Sequence, residues 1–316
     1  MHTRLLLTNP KIKVFFMNSM FYKFLHDDEN HTVLKSCLDG NLLFSRIPEL
    51  NDFSETFAVA DKEEIDRSLA EMRRDGCSEE EQRCFYEHVE LMEKVFPEFK
   101  NVFESFKSLN LSRPFPFSQI GGLIQMVAGN GLEINPLNKM MNILPSFLQL
   151  TNELIQDRVG IFCVSEDVDN FPMWAHYADN AKGFVVEYKN LEVLFCGDGT
   201  KMLNQIQEVD YYGVERPAVS LKPDKLNALF FSKQGKWSYE TEWRVVKPLA
   251  ECKKKSVGCG SERSFFKMEN PKDYISRIIV GWNGNLEEVK SIVDEKMGVP
   301  VVQANVVNGN IEIPQK

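Results

Sequence analysis

Two strand-rich regions that enclose a helical block constrain the fold of this chain most strongly. Residues 14–58 alternate short apolar runs with turns, and the same pattern returns from residue 159 onward, which is typical of strands. Residues 61–158 place apolar side chains three and four positions apart, which indicates helices. Because the first region alone is too short to close a core, we expect a single α+β domain over residues 1–316. Its core is predicted to be a mixed, mostly antiparallel sheet, with a helical insertion at about residues 60–158.

The same periodicity predicts individual elements. The strand candidates after the helical block are residues 160–166, 183–188, 206–212, 243–246, 264–268, 277–282 and 301–307. The helix candidates are residues 30–38, 63–74, 79–96, 138–157, 223–232 and 286–296. A Gly- and Pro-rich stretch at 113–136 is predicted to be a loop.

Composition and charge limit the class of protein. Of the 316 residues, 43% are hydrophobic and 26% are charged, with a formal net charge of -9, as in globular proteins rather than disordered ones. The acidic balance argues against a dedicated nucleic-acid or membrane-surface binder, since both usually carry a basic patch. The seven cysteines are scattered and never spaced as CxxC, which predicts free thiols in a reducing cytoplasm. No apolar run approaches the roughly 20 residues of a membrane span, so we expect a cytoplasmic protein.

The most polar pattern within a predicted strand is WSYETEWRVV at residues 237–246. As a strand, it places Glu240, Glu242 and Arg244 on one face and the aromatic residues on the other. Two close carboxylates repel, so the pKa of one rises while the guanidinium keeps the other ionised. The pattern predicts either a cleft lined by this polar face or an Arg–Glu ladder on a solvated strand.

A second segment, residues 160–188, is predicted to form a strand, an acidic turn, a short helix and another strand. Ser165 lies at the end of the first of these strands, where loops usually carry function. Pro172 fits the start of the short helix, which carries His176 and Tyr177. A lone histidine is more often structural than catalytic. No cluster of His, Cys or Asp has metal-ligand spacing, so we predict no metal site.

An early segment carries Tyr22 and Lys23 on a predicted strand, followed by the turn signal Asn51-Asp52. Such a strand, with the helix and strand that follow it, could line one wall of a pocket, whereas Asn-Asp by itself marks a plain loop. The chain has no P-loop, GxGxxG, GxSxG or HExxH motif. The NTPase, Rossmann dehydrogenase, α/β-hydrolase and zincin classes are therefore unsupported.

Taken together, these motifs resemble a bacterial family known as domain of unknown function 2971. The resemblance rests on the Tyr-Lys opening, the Asn-Asp turn, CVSED…NFPMWAHYADNAKGFVVEY and WSYETEWR. Their order matches over roughly residues 21–60 and 159–306, and MWxHYA and ExEWR are the most specific elements. Residues 51–55, NDFSE, depart from the family, which more usually has Pro and an aromatic residue between Asp and Glu. The family label implies no activity.

A looser resemblance, to the ADP-ribosyltransferase superfamily, implies a mechanism. Members order a first strand with His, Arg or Tyr, a helix that ends in Gly, a strand with Ser or Tyr, and a late strand with the catalytic Glu. The order here is similar, and some members also use Glu-x-Glu. The resemblance implies NAD as the substrate and Glu242 at the nicotinamide-ribose hydroxyl, where it would stabilise an oxocarbenium-like transition state. Glu240 would orient or deprotonate the acceptor.

The same resemblance implies the rest of the site. Nicotinamide would stack on Tyr177 or Tyr22, and the diphosphate would meet Lys23 or Arg244. The predicted catalytic residues are therefore Glu242, Glu240, Tyr177 and His176, and the predicted cofactor-binding residues are Tyr22, Lys23, Ser165 and Arg244.

Two other functions stay open on the sequence. In a metal-dependent nuclease, Glu240, Glu242 and Asp210 would hold Mg²⁺. Arg244 stands where such enzymes usually have Lys, however, and arginine cannot act as a base. A non-enzymatic interaction or sensor module of a bacterial defence or stress system would instead bind a protein partner through the helical insertion. The expected partners are thus a small molecule in a cleft or a protein, and neither a membrane nor a nucleic acid.

Overall fold

The computed structural model of the protein describes residues 19–51, 74–111, 157–197, 203–217, 228–257 and 261–315, together with positions 63, 67, 70, 71 and 155. Its strands are β1 (Met20–Leu25), β2 (Asn41–Arg46), β3 (Val159–Ser165), β4 (Phe184–Lys189), β5 (Ile206–Glu208), β6 (Asp210–Tyr212), β7 (Ser232–Gln234), β8 (Glu242–Pro248), β9 (Lys253–Val257), β10 (Ser261–Lys267), β11 (Ile275–Val280), β12 (Val301–Gln303), β13 (Asn305–Val307) and β14 (Asn310–Glu312). Its α-helices are α1 (Thr32–Leu38), α2 (Glu79–Val95), α3 (Lys100–Lys107), α4 (Phe171–Tyr177), α5 (Leu191–Leu194), α6 (Ala228–Phe231) and α7 (Leu286–Lys296). Short 3₁₀ helices lie at Ile47–Glu49, Pro97–Phe99, Gly235–Glu240, Leu249–Glu251 and Pro271–Asp273.

Contacts divide the chain into two compact units. The first unit comprises Met1–Leu38, Glu166–Leu194 and Asn270–Lys316, and the second comprises Asp39–Ser165 and Phe195–Glu269. Both contain helices and mostly antiparallel strands. This confirms the predicted α+β class with a mixed, mostly antiparallel sheet. A single domain with a helical insertion stays a prediction.

The sheet of the first unit has the strand order β12–β11–β4–β1. Strand β4 pairs antiparallel with β1 and β11, whereas β12 pairs parallel with β11. Helix α7 provides the crossover that parallel neighbours require, and the Asn285 side chain caps its start by accepting a hydrogen bond from the Glu288 amide. Trp174 of α4 is fully buried, with its ring centroid 5.3 Å from that of Phe24 on β1.

The sheet of the second unit follows the order β5–β8–β3–β2–β10–β9, and these neighbours pair antiparallel. Strands β6 and β7 form a separate parallel pair. Strand β8 lies between β3 and β5, and all seven of its residues are buried. Its charged residues therefore need partners inside the protein, because an unpaired buried charge is strongly unfavourable.

Helices α2 and α3 lie within the stretch predicted to be helical and pack into the apolar core of the second unit. Helix α2 begins with a capping box, in which Ser78 and Glu81 bond to each other's backbone amide. The core joins the two helices to β3 and β8 through Val89, Met92, Phe103, Phe106, Val159, Ile161 and Val246. Within the described parts of the chain, no helix has both the length and the apolar character needed to cross a membrane.

Most predicted elements coincide with observed ones, but WSYETEWRVV does not form one continuous strand. Residues Gly235–Glu240 form a 3₁₀ helix, Thr241 has a left-handed backbone with φ of 42°, and the strand starts only at Glu242. The prediction of a strand over 237–246 is therefore wrong in its first half. The predicted strands at 206–212 and 301–307 are each divided into two short strands.

Several predictions fall on residues outside the described set. These are the loop at 113–136, the helix at 63–74 apart from residues 63, 67, 70, 71 and 74, the helix at 138–157 apart from residues 155 and 157, the first part of the helix at 223–232, and residues 14–18 and 52–58.

Candidate functional site

The charged residues of ETEWR lie in a buried group of charged side chains in the second unit. We call this group the ion cluster. It consists of Lys233 on β7, Glu240 at the end of a 3₁₀ helix, and Glu242 and Arg244 on β8. The four residues are only 2–5% exposed. Two cations and two carboxylates leave the ion cluster with no formal net charge, which is the arrangement that burial requires.

The backbone at Thr241 explains why the two carboxylates meet. In a regular strand, Glu240 and Glu242 would stand side by side about 6.7 Å apart along the chain. Here the left-handed conformation of Thr241 ends the 3₁₀ helix and starts β8, so both carboxylates bond the same lysine. This conformation is costly for a β-branched residue. The Thr241 hydroxyl also bonds the Ser165 hydroxyl, 3.0 Å away.

Both oxygens of the Glu242 carboxylate are engaged. Arg244 donates from Nε to Oε1 and from Nη2 to Oε2, each at 2.8 Å, a two-pronged pairing that fixes the carboxylate plane. Lys233 donates from Nζ to the same Oε2 at 3.1 Å. The remaining Arg244 donor, Nη1, bonds the carbonyl oxygen of Phe230 at 2.8 Å.

Lys233 connects the two carboxylates. Its Nζ lies 2.6 Å from Oε2 of Glu240 and 3.1 Å from Oε2 of Glu242. The ammonium group also lies 5.2 Å from the ring centroid of Trp237, a distance at which a cation is attracted to an aromatic face. Removal of this one lysine would leave two carboxylates facing each other in the interior.

The ion cluster shifts the ionisation of its members. Burial alone would raise the pKa of Glu242, but Arg244 and Lys233 outweigh that effect and lower it to about 2. Burial raises the pKa of Tyr211 well above its ordinary value, and the carboxylates of Glu242 and Glu240 reinforce the shift. The Tyr211 hydroxyl therefore stays protonated, and it accepts a hydrogen bond of 2.8 Å from the Glu242 amide.

Ser165 lies next to the ion cluster. It is the last residue of β3 and pairs with Glu242 in the antiparallel register of β3 and β8. Its side chain is 1% exposed. The structure thus brings Ser165, Glu240, Glu242 and Arg244, all four predicted from the sequence, into one part of the second unit.

The other predicted residues, Tyr22, Lys23, His176 and Tyr177, belong to the first unit. Tyr22 is half-buried on β1, opposite Glu187 of β4. Burial raises the pKa of Tyr22, and Glu187 raises it further. Within the same unit, His176 is exposed and Tyr177 half-buried on α4, with ring centroids 6.3 Å apart.

Sequence reasoning missed three residues with large electrostatic roles. Lys233 belongs to the ion cluster, and the Tyr211 hydroxyl bonds the Glu242 amide beside it. Glu187 forms a buried pair with Arg277, whose Nε lies 2.7 Å from Oε2. One signal was available for Glu187, because it is the lone acid in the apolar strand FVVEYK. Isolated charges in apolar strands need a partner. Nothing local marks Lys233, which lies in a strand of only three residues.

The comparisons with known proteins support the resemblance based on the motifs. Residues 173–245 match the model of a family described as protein of unknown function DUF2971. The family resemblance predicted from the sequence is thus supported over residues 173–245. The DUF2971 match begins at MWAHYA and ends within EWRVV, so it includes the ion cluster from Lys233 to Arg244. No curated protein and no solved structure matches the chain significantly.

A metal-dependent reaction has little geometric support here. Among the described residues, no three His, Cys, Asp or Glu side chains lie close enough to hold a metal ion. The two carboxylates of the ion cluster are instead bonded to Lys233 and Arg244, which occupy the positions a cation would take.

Proposed function

We propose that this DUF2971 protein is an ADP-ribosyltransferase-like enzyme that uses NAD, with Glu242 as its central carboxylate. The observation that supports this most is the position of Glu242. It is the first residue of β8, it faces Ser165 across the register of β3 and β8, and it follows Glu240 after a tight turn. A Ser strand paired with a late strand that starts at the second Glu of Glu-x-Glu is consistent with the superfamily resemblance.

The electrostatics of Glu242 fit the proposed reaction. When the bond between nicotinamide and ribose breaks, its electron pair leaves with nicotinamide and positive charge develops on the ribose. A carboxylate with a pKa of about 2 stays ionised at every physiological pH, and its orientation is fixed in advance by Arg244. Such a fixed charge can stabilise a transition state without reorganising during the reaction.

In the proposed reaction, Glu240 acts in the second half, in which the ADP-ribose is transferred to the acceptor. The acceptor forms a new bond to the ribose carbon that nicotinamide left, and it gives up a proton in doing so. Glu240 is the second carboxylate within reach of the same lysine, and in the proposal it accepts that proton. Arg244 is a positioning residue in this scheme rather than a diphosphate ligand, because its donors already bond Glu242 and Phe230.

Ligand binding at Glu242 requires one rearrangement of the ion cluster. Lys233 occupies Oε2 of Glu242, so a ribose hydroxyl can bond that oxygen only if the lysine contact is exchanged for the ligand. Arg244 would keep the carboxylate in place meanwhile. The stacking and diphosphate roles of Tyr177, Tyr22 and Lys23, and a role for His176, stay predictions.

Nicotinamide release tests the proposal. Purified protein is incubated with millimolar NAD, and nicotinamide is quantified by chromatography for wild type, Glu242→Gln and Glu240→Gln. Glu242→Gln is expected to reduce release by about 10²-fold or more, the usual loss when one preorganised electrostatic group is removed. Glu240→Gln should impair transfer to the acceptor more than release.

The control for this experiment is Glu287→Gln, because Glu287 is exposed on α7 in the first unit and lies outside the proposed machinery. Circular dichroism establishes that each variant is folded at the assay temperature. An absence of nicotinamide release from the wild-type protein would refute the NAD proposal.

A second candidate is the non-enzymatic interaction module, and one observation favours it. Both oxygens of Glu242 and all three nitrogens of Arg244 already have partners, as in a purely structural ion cluster. In that function the ion cluster would fix the position of β8 against β7, and helices α2 and α3 would offer the surface for a protein partner. An inactive wild-type protein with an intact fold would favour this function.

A further inference from the structure

One face of the β9–β10 pair in the second unit carries only cations among its charged residues. Lys255 stands directly opposite Arg263 in the antiparallel register, and Lys253 stands opposite Phe265. Since side chains alternate between faces, these residues share one face with Lys267, two positions beyond Phe265. We call Lys253, Lys255, Arg263 and Lys267 the basic face.

The pairing within the basic face is electrostatically unfavourable on its own. Two like charges directly opposite each other on neighbouring strands repel and destabilise the sheet, yet Lys255 and Arg263 occupy such a pair. Lys253 lies two residues before Lys255 on the same strand and face, about 6.7 Å away. An external anion would turn this repulsion into attraction.

The cations of the basic face have no carboxylate in salt-bridge contact within the described residues. Lys255 donates to the side-chain oxygen of Asn41 at 2.9 Å, and Lys267 donates to the carbonyl oxygen of Asp39. Glu49 is near enough to feel the charge of Arg263, but its carboxylate is hydrogen-bonded to Arg46.

The opposite face of the same strand pair provides an internal comparison. Lys254 lies between Lys253 and Lys255 but points the other way, and its Nζ is 3.7 Å from a carboxylate oxygen of Glu262. Glu262, the acidic residue of β10, thus lies on the opposite face, so the basic face keeps an excess of positive charge. The chain as a whole has a net charge of -9, so this surface departs strongly from the average.

Protection of a sheet edge does not account for the whole basic face. Lysines on an edge strand discourage pairing with other chains, and β9 ends the strand order of the second unit. Arg263 and Lys267 lie on β10, however, which is bonded on one side to β9 and on the other to β2. Half of the basic face therefore lies on a strand that needs no such protection.

We propose that the basic face binds the phosphodiester backbone of a nucleic acid. A row of cations at regular strand spacing matches a row of phosphates, and such contacts require no base recognition. A membrane surface fits less well, because the large exposed apolar residues of the described chain, which peripheral binding would insert, lie outside β9 and β10. The expectation against nucleic acid rested on net charge, which averages over all faces. This inference is independent of the NAD proposal.

Fluorescence anisotropy with a labelled oligonucleotide, single-stranded and as a duplex, tests the inference on the full chain. Four phosphate contacts predict that binding to the single strand weakens about 50-fold between about 50 and 200 mM salt. In Lys253→Ala/Lys255→Ala/Arg263→Ala, the slope of log K against log salt should fall by about 2, which leaves about a 3-fold salt effect.

The matched control removes the same number of positive charges elsewhere. Lys254, Lys272 and Lys290 are exposed and lie outside the basic face, so Lys254→Ala/Lys272→Ala/Lys290→Ala should keep the wild-type slope. Thermal unfolding establishes that both triple variants are folded. The inference is overturned by no binding at about 50 mM salt, by equal loss in both variants, or by tighter binding to anionic vesicles or polyglutamate than to the oligonucleotides.

Discussion

Replacing Arg244 with Met lowers the free energy of unfolding by about 3–5 kcal/mol, the usual effect of removing one partner from a buried ion pair. Glu242 then loses both hydrogen bonds from the guanidinium and keeps Lys233, which it shares with Glu240, and the Cys163 thiol. Phe230 loses a donor to its carbonyl oxygen as well. Methionine fills a similar volume, so the lost charge dominates the effect. Urea unfolding at neutral pH measures it.

Arg46→Met is the matched control for this measurement. Arg46 also pairs with a glutamate, Glu49, at 2.8 Å, but the two side chains are 47% and 24% exposed. Solvated pairs contribute about 1 kcal/mol or less, so this variant should unfold close to wild type. If Arg244→Met were as mild as Arg46→Met, the ion cluster would contribute little to the stability of the second unit.

Gly183→Ala is expected to destabilise the first unit by about 3 kcal/mol, at the upper end of the range for overpacking. A Cβ at Gly183 would lie 2.2 Å from the Leu25 carbonyl oxygen and 3.2 Å from that of Ala178. Both contacts are with backbone, which cannot move aside as a flexible side chain could. The amide of Gly183 also bonds the Ala178 carbonyl oxygen, so the turn between α4 and β4 has little room to shift.

Gly213→Ala provides the corresponding control, since a Cβ there would meet no atom within 4 Å. A surface substitution of this kind usually changes stability by about 0.5 kcal/mol or less. Thermal unfolding of both variants measures this difference in stability. Equal stability of the two variants would mean that the chain can pass Leu25 at a greater distance than the structure shows.

The sheet was largely predictable from the sequence because its strands bury alternating or continuous apolar residues. GIFCVSE, GFVVEY and RIIVGW coincide with β3, β4 and β11 to within two residues at each end. The exception is the segment before Glu242. There Trp237, Tyr239 and Thr241 are aromatic or β-branched residues, which are typical of strands. The backbone at Thr241 is left-handed instead, and a β-branched residue gives no sequence signal for that conformation.

The candidate site was predictable only where its residues are neighbours in the chain. Glu240, Glu242 and Arg244 are close in sequence, and the expected stabilisation of an ionised carboxylate by Arg244 agrees with the lowered pKa of Glu242. Lys233 comes from a different strand and Tyr211 from another. Their contribution depends on strand pairing, which a local pattern does not contain.

Glu242 is ionised and held by Arg244 and Lys233 inside the protein, and the pH dependence of the stability reports this ionisation. A lowered pKa in the folded state contributes stability above the unfolded value of about 4.5, and that contribution is lost as the pH falls toward about 2.

The measurement is the difference in unfolding free energy between wild type and Glu242→Gln, obtained from urea curves at a series of pH values. We expect a constant difference above about pH 5.5 that shrinks by about 2 kcal/mol by about pH 3. A difference that stays constant across that range would show that the pKa of Glu242 is the same in the folded and unfolded states, and that Arg244 and Lys233 do not stabilise its ionised form.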